Sequence, residues 1–135
     1  MGSEVHDNLL RGCRVFVVED DFLIADDFTR RLAQSGAEVL GPAATLDGAD
    51  TLYRKEPPPH VAVLDINLRG TPVFPFAGQL QRDNIPFVFC TGYGDDPIAE
   101  CFRHVPRFEK PLSKKGFVDM IAEIARLYAG RRSTQ

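Results

Sequence analysis

A chain of 135 residues with 44% hydrophobic and 26% charged side chains has room for one domain with a proper core, and neither figure suggests disorder. A net charge of -3, with no Lys/Arg run longer than two, excludes the basic footprint that nucleic acid needs, and no apolar run approaches the ~18 residues of a membrane span. The opening MGSEVHDNLL lacks a basic segment followed by an apolar one, so the expected location is the cytoplasm.

Short apolar, β-branched runs then alternate with amphipathic segments along the chain, the pattern of an α/β domain. The first run, Val15 to Val18, is continuous rather than alternating, which predicts a central parallel strand covered on both faces. Asp21 is placed to cap a first helix, in which Ile24, Phe28 and Leu32 recur at a spacing of four and Gly36 marks the end. Glu38 to Leu40 forms a second strand. Thr45 can cap a second helix through Leu46, Ala49, Leu52 and Tyr53, which stops before Pro57-Pro58-Pro59. Val61 to Leu64 and Phe87 to Cys90 read as further central strands, with a short helix around Phe74 to Leu80 between them. A fourth helix between Pro97 and Phe102 is at most a turn or two. The weaker run Val105 to Phe108 alternates with Arg107 and Glu109, as an edge strand does. Ser113 opens a last helix expected to carry Val118, Ile121, Ala125 and Tyr128 on one face. Residues 1–11 and 130–135 have little to bury and are expected to be loose ends around a domain over 12–129.

Cys13, Cys90 and Cys101 are odd in number and form no Cys-x-x-Cys pair, so they are read as reduced, small, buried apolar residues rather than a disulfide framework or zinc site. His6, His60 and His104 share no ligating spacing. Asp26, Asp27, Asp95 and Asp96 read as solvated surface charges.

In open α/β sheets ligands bind beyond the carboxyl ends of the strands, and the strand ends here are chemically distinctive. The first run ends in Glu19-Asp20-Asp21, the third in Asp65, the fourth in Thr91, and Lys110-Pro111 follows the fifth. Taken alone, the first cluster is explained as acids favoured by a helix N-terminus. That reading accounts for neither Asp65 nor Lys110. Carboxylates gathered at one rim suit a small hard dication, Mg²⁺, held by Glu19 and Asp20 with one oxygen from Asp65. The other oxygen of Asp65 is then a nucleophile toward a phosphoryl group, and Thr91 and Lys110 are placed to donate to its oxygens. Thr91 has a plainer reading, as a strand-end residue capping a turn.

VVEDD, LDINL, FCTG and EKP, in this order and over roughly residues 12–129, resemble the receiver domain of two-component response regulators. The resemblance implies a flavodoxin-like, doubly wound sheet of five parallel strands in the order 2-1-3-4-5, with five helices. It further implies phosphorylation at Asp65, a metal site that includes the backbone carbonyl of Asn67, and a histidine kinase or histidine phosphotransfer protein as donor. The expected role is a stand-alone receiver that signals by protein contact, to a downstream target or a second copy of itself, through the fourth helix, fifth strand and fifth helix. It catalyses only its own phosphorylation and dephosphorylation.

Asp65 to Thr91 spans 26 positions and Thr91 to Lys110 spans 19, shorter than the family norm, so the third and fourth helices are expected to be trimmed. The family's aromatic three places before the lysine is replaced by Arg107. That residue reads either as an edge-strand charge that discourages pairing or as a variant switch that pairs with an acid after phosphorylation. PFVFCTGYG resembles the FAT GUY subgroup associated with HWE-type kinases, although Cys90 replaces alanine and Gly94 follows Tyr93. Two other readings are weighed. A haloacid-dehalogenase-type phosphatase wants a second acid where Asn67 stands, and a phosphorylation-independent adaptor would retain only the fold.

Overall fold

The computed structural model describes residues 8–92 and 100–133. In chain order they form β1 (Arg14–Val18), α1 (Phe22–Gln34), β2 (Glu38–Ala43), α2 (Leu46–Lys55), β3 (Val61–Asp65), the short strands β4 (Asn67–Leu68) and β5 (Thr71–Pro72), α3 (Phe74–Arg82), β6 (Phe87–Thr91), a 3-10 turn (Glu100–Phe102), β7 (Arg107–Glu109) and α4 (Lys114–Ser133). Strands β2-β1-β3-β6-β7 make one parallel sheet of five, while β4 and β5 pair only with each other. With that hairpin set aside, the order is the flavodoxin-like 2-1-3-4-5. Reversal between β2-β1 and β1-β3 creates the crevice in which such sheets bind ligands.

Period-2 alternation explains why the central strands are apolar throughout. Val15 and Val17 enter a core with Phe28 and Leu32 of α1 and Phe117, Met120 and Ile124 of α4. Phe16 and Val18 point the other way, toward Phe76 and Leu80 of α3 and Ala49 of α2. At about 1.5–3 kcal/mol for each large side chain buried, the two layers clamp the sheet from both sides. Strand ends are thereby fixed in position.

Local signals set the helix boundaries. Asp21 Oδ1 accepts from Leu23 N at 2.9 Å and Ile24 N at 3.1 Å. Thr45 Oγ1 accepts from Gly48 N at 2.9 Å, and Ser113 Oγ accepts from Gly116 N at 2.9 Å. Gly36 follows α1 with φ 95, the left-handed step that glycine permits.

Several expectations need correction. The inward stripe of α4 is Phe117, Met120, Ile121 and Ile124; Val118 is 45% exposed, because at 100° per residue it lies off the centre that the larger Phe117 and Met120 define. Leu10, in the segment expected to be loose, is fully buried, and its N–H donates to Ser35 O at 2.8 Å. Helix α4 also continues through residues 130–133. Cys13 and Cys90 are buried, but Cys101 on the 3-10 turn is exposed. Strand β2 runs on through Gly41-Pro42, whose peptide bond is cis, to Ala43. The β1–β2 register shifts there, from Phe16 opposite Leu40 to Val18 opposite Ala43. Gly41 permits this, since a Cβ on it would lie 2.7 Å from Val17 O. Of the expected fourth helix, Glu100–Phe102 is a 3-10 turn; Pro97, like His6, Tyr93, Gly94, Asp95 and Asp96, lies outside the described residues.

Candidate functional site

The carboxyl ends of β1, β3 and β6 and the segment after β7 converge on one rim. Glu19 follows β1, and its N–H donates to Ala43 O at 2.9 Å, so the bulged end of β2 anchors it. Asp65 ends β3 and Thr91 ends β6, both buried. Lys110 follows β7, its N–H donating to Thr91 O at 2.7 Å, which brings its side chain back across the sheet ends.

Lys110 Nζ donates to Glu19 Oε1 at 2.8 Å and to Asp65 Oδ2 at 3.1 Å. The other oxygens of the two acids accept backbone N–H groups, Asp21 N at 3.0 Å on Glu19 Oε2 and Asn67 N at 3.2 Å on Asp65 Oδ1. Each carboxylate is therefore oriented before any ligand arrives. Glu19, Asp20 and Asp65 present one oxygen each within 4.8 Å of one another. At such spacing two ionised carboxylates repel by about 3–4 kcal/mol near a protein surface, and a single ammonium cannot neutralise three.

Burial, more than mutual repulsion of the acids, governs the pKa shifts. Burial pushes Glu19 up to about 7, against the opposing pull of Lys110. Burial likewise raises Asp65, again with Lys110 working the other way. Burial works against the Lys110 ammonium too, but its bonds to Glu19 and Asp65 leave it above the ordinary lysine value. The site favours added positive charge. Three hard oxygen donors, two of them, Asp20 and Asp65, lining a water-accessible cleft and none of them soft, fit Mg²⁺.

A cleft of about 440 Å³ opens over these groups, lined by Asp20, Asp65, Asn67, Lys110 and, from the hairpin, Arg69 and Gly70. Asp20 and Asp65 line it, whereas Glu19 and Thr91 are buried and do not, Thr91 fully so. Asp21 serves as the cap of α1, as its sequence position suggested. Arg107 sits on edge strand β7, half-buried, paired in register with Phe89 rather than at the rim itself. His60 has a structural task that its spacing did not reveal: its Nδ1 accepts from Arg14 N at 2.9 Å.

Sequence reasoning missed the hairpin and so missed Arg69. Its two-residue connection, Arg69 with φ 52 and Gly70 with φ 90, is the doubly left-handed turn that usually takes Asn-Gly. Arginine at its first position hides the signal. Gly70 N donates to Asn67 Oδ1 at 2.6 Å, which closes the turn.

No protein-family model matches this sequence, and no curated protein does. Solved structures do. The BeF3-activated conformation of SdrG from Pseudomonas melonis Fr1 is 35% identical, with 84% of this chain and 95% of that chain covered and a TM-score of 0.68. The response regulator PhyR from Brucella abortus is 28% identical over 98% of this chain and 55% of its own, with a TM-score of 0.72. The non-phosphorylated HemR receiver domain from Leptospira biflexa is 27% identical over 84% of this chain and 94% of its own, with a TM-score of 0.68. With the sheet order and the rim of acids, these likenesses define the class: the chain belongs to the response-regulator receiver family. It spans about half the length of PhyR. Among the described residues no helix is long and apolar enough to cross a membrane.

Proposed function

We propose that this receiver domain is a cytoplasmic phosphoacceptor that takes a phosphoryl group on Asp65 from a histidine kinase, of the HWE type, or from a histidine phosphotransfer protein. The observation that carries the reading is the bridge from Lys110 Nζ to both Glu19 and Asp65, with Asp20 beside them. A lysine inserted among acids at the end of a parallel sheet is costly to bury as a mere structural ion pair. It is well suited to a site where charge changes.

Asp20, Asp65 and the Asn67 carbonyl, with Glu19 beneath them, are the groups that would hold Mg²⁺. When bound, the ion neutralises the phosphoryl oxygens and lowers the repulsion between donor and cleft. Asn67 N and Lys110 hold the Asp65 carboxylate in one orientation, so little reorganisation precedes attack. A carboxylate oxygen of Asp65 bonds to phosphorus as the bond from phosphorus to the donor nitrogen breaks, and the departing imidazole keeps the electron pair. Lys110 then exchanges Asp65 for a phosphoryl oxygen as its partner, and Thr91, at the end of the neighbouring strand β6, would supply a second donor. The aspartyl phosphate carries roughly -1.5 to -2 charges where the carboxylate carried one, so the rim gains at most about one negative charge. We attribute output to contact with a downstream protein or a second copy, through the surface of β7 and α4.

Incubation with acetyl phosphate and Mg²⁺ should add the mass of one phosphoryl group to the wild type. Asp65→Asn should take none, and a chelator should suppress the reaction. Equal labelling of Asp65→Asn, or indifference to the chelator, would overturn the proposal. A phosphotransfer profile against the host's histidine kinases then identifies the donor.

A further inference from the structure

Resting on the phosphoacceptor reading, we infer that Arg69, at the tip of the β4–β5 hairpin, is a hinged clamp. Its guanidinium holds Asp20 before the metal arrives and turns to the phosphoryl group afterwards. Arg69 Nη2 lies 3.4 Å from the main-chain carbonyl oxygen of Asp20, and Nε lies 3.9 Å from its carboxylate Oδ2, beyond hydrogen-bond distance but within reach of an ion pair. Both distances are long, and the Arg69 side chain is 80% exposed while that of Asp20 is 15% exposed. The contact is therefore weak and easily exchanged. The base from which it swings is not: the hairpin pairs Asn67 with Pro72 and Leu68 with Thr71, Leu68 is buried, and Val73 N donates to Ile66 O at 2.8 Å. A firm base and a loose side chain make a pivot.

The charge arrangement gives the pivot a direction. Arg69 lines the same cleft as Asp65 and Lys110, on the side that carries Asn67 and Gly70. Lys110 is already committed to two buried carboxylates, so it approaches a phosphoryl group from the floor. Arg69 is placed to approach from the mouth, and its planar fork matches two phosphoryl oxygens in a way that a lysine cannot. Once the Asp20 carboxylate served an ion, the guanidinium would keep only its long contact to the main-chain oxygen and would be free to turn to a more highly charged acceptor beside it. Arg69 is thus a competitor of the metal in the resting protein and a ligand of the phosphoryl group in the loaded one.

The full chain tests both halves, with beryllofluoride as phosphoryl mimic. In a Mg²⁺ titration followed by the amide signals of Asp20 and Asn67, Arg69→Ala should bind the ion about two- to fivefold more tightly, having lost the competing charge. At saturating Mg²⁺ the same variant should bind beryllofluoride at least about fivefold more weakly. Arg69→Lys keeps the charge without the fork: its Mg²⁺ affinity should stay at the wild-type level while beryllofluoride binding recovers only in part. Affinities of Arg69→Ala within about twofold of wild type for both ligands would overturn the inference. So would a change for Mg²⁺ alone, which makes Arg69 a surface counter-charge and nothing more. A wild type that binds Mg²⁺ but no beryllofluoride removes the phosphoacceptor reading itself and the clamp with it. A wild type that binds both, beside an unaltered Arg69→Ala, removes only the clamp.

Discussion

Lys110 Nζ lies 3.1 Å from Asp65 Oδ2 across 45 residues of chain, and the same nitrogen reaches Glu19 at 2.8 Å. One ammonium thus holds the ends of two strands and the segment after a third in register. The lysine side chain is 9% exposed and the two carboxylate side chains 1% and 5%, so little water screens the arrangement.

Removing that ammonium leaves two buried acids facing each other. Lys110→Ala should destabilise the metal-free protein by about 3–5 kcal/mol near pH 8, the cost of breaking a buried pair by deleting one partner. Near pH 5 the loss should be much smaller, because the acids can take up protons instead. Urea unfolding at the two pH values checks this, and equal losses would count against the bridge. Added Mg²⁺ should restore part of the stability.

The raised acids impose a pH dependence of defined sign. Glu19 titrates near 7 in the fold against an ordinary 4.5, and Asp65 is shifted in the same direction, so the folded protein binds more protons than the unfolded chain between those values. Stability contributed in this way is complete below about pH 4.5 and is lost as pH rises through 7. For Glu19 the loss is on the order of 3 kcal/mol at most. In chelator, stability should therefore decline from pH 5 to pH 8, and Glu19→Gln should flatten the slope. Saturating Mg²⁺, which competes with those protons, should reduce or reverse it. Lys110, raised above 10.5, acts at the alkaline end: its contribution is present below that value and fades above it.

Leu10 provides a test of the amino-terminal segment. Fully buried beside the α1 and α4 contacts, it should cost about 2–5 kcal/mol when changed to alanine, measured by urea unfolding. A loose segment would show no loss. Leu9, 41% exposed, is the matched control.

The cysteines should separate by reactivity. Burial pushes the Cys13 and Cys90 thiols up to about 12, leaving almost no thiolate at neutral pH, whereas Cys101 is exposed. Ellman's reagent should titrate Cys101 alone in the native protein and all three cysteines in denaturant. Rapid native labelling of Cys90 would show that β6 opens beside the acid rim.

Much of this molecule is legible in its amino-acid order. Unbroken apolar runs ending in acids announce strands buried on both faces, because a strand covered on one side only must alternate. Asp21, Thr45 and Ser113 mark helix starts for a reason local to each turn, the need to satisfy free backbone N–H groups. Glu19, Asp20, Asp65 and Lys110 stand out as chemically odd for their positions at the ends of such runs.

Relations between distant segments are not written locally. Whether Leu10 packs depends on where α4 lies, and whether Val118 faces water depends on which of its neighbours fills the groove better. That β2 survives Gly41-Pro42 is decided by the register against β1, and the bulged end of β2 anchors the Glu19 backbone through Ala43 O. Arg69 carries no signal of its own until a tight hairpin turns it over Asp20. Sequence by itself determined the alternating architecture and which side chains carry charge to the rim, since these follow from solvent and from bonds within a few residues. Only the tertiary structure decided which carboxylates share one ammonium and which exposed cation lines the cleft, because those distances are set by packing between elements that the chain joins only at long range.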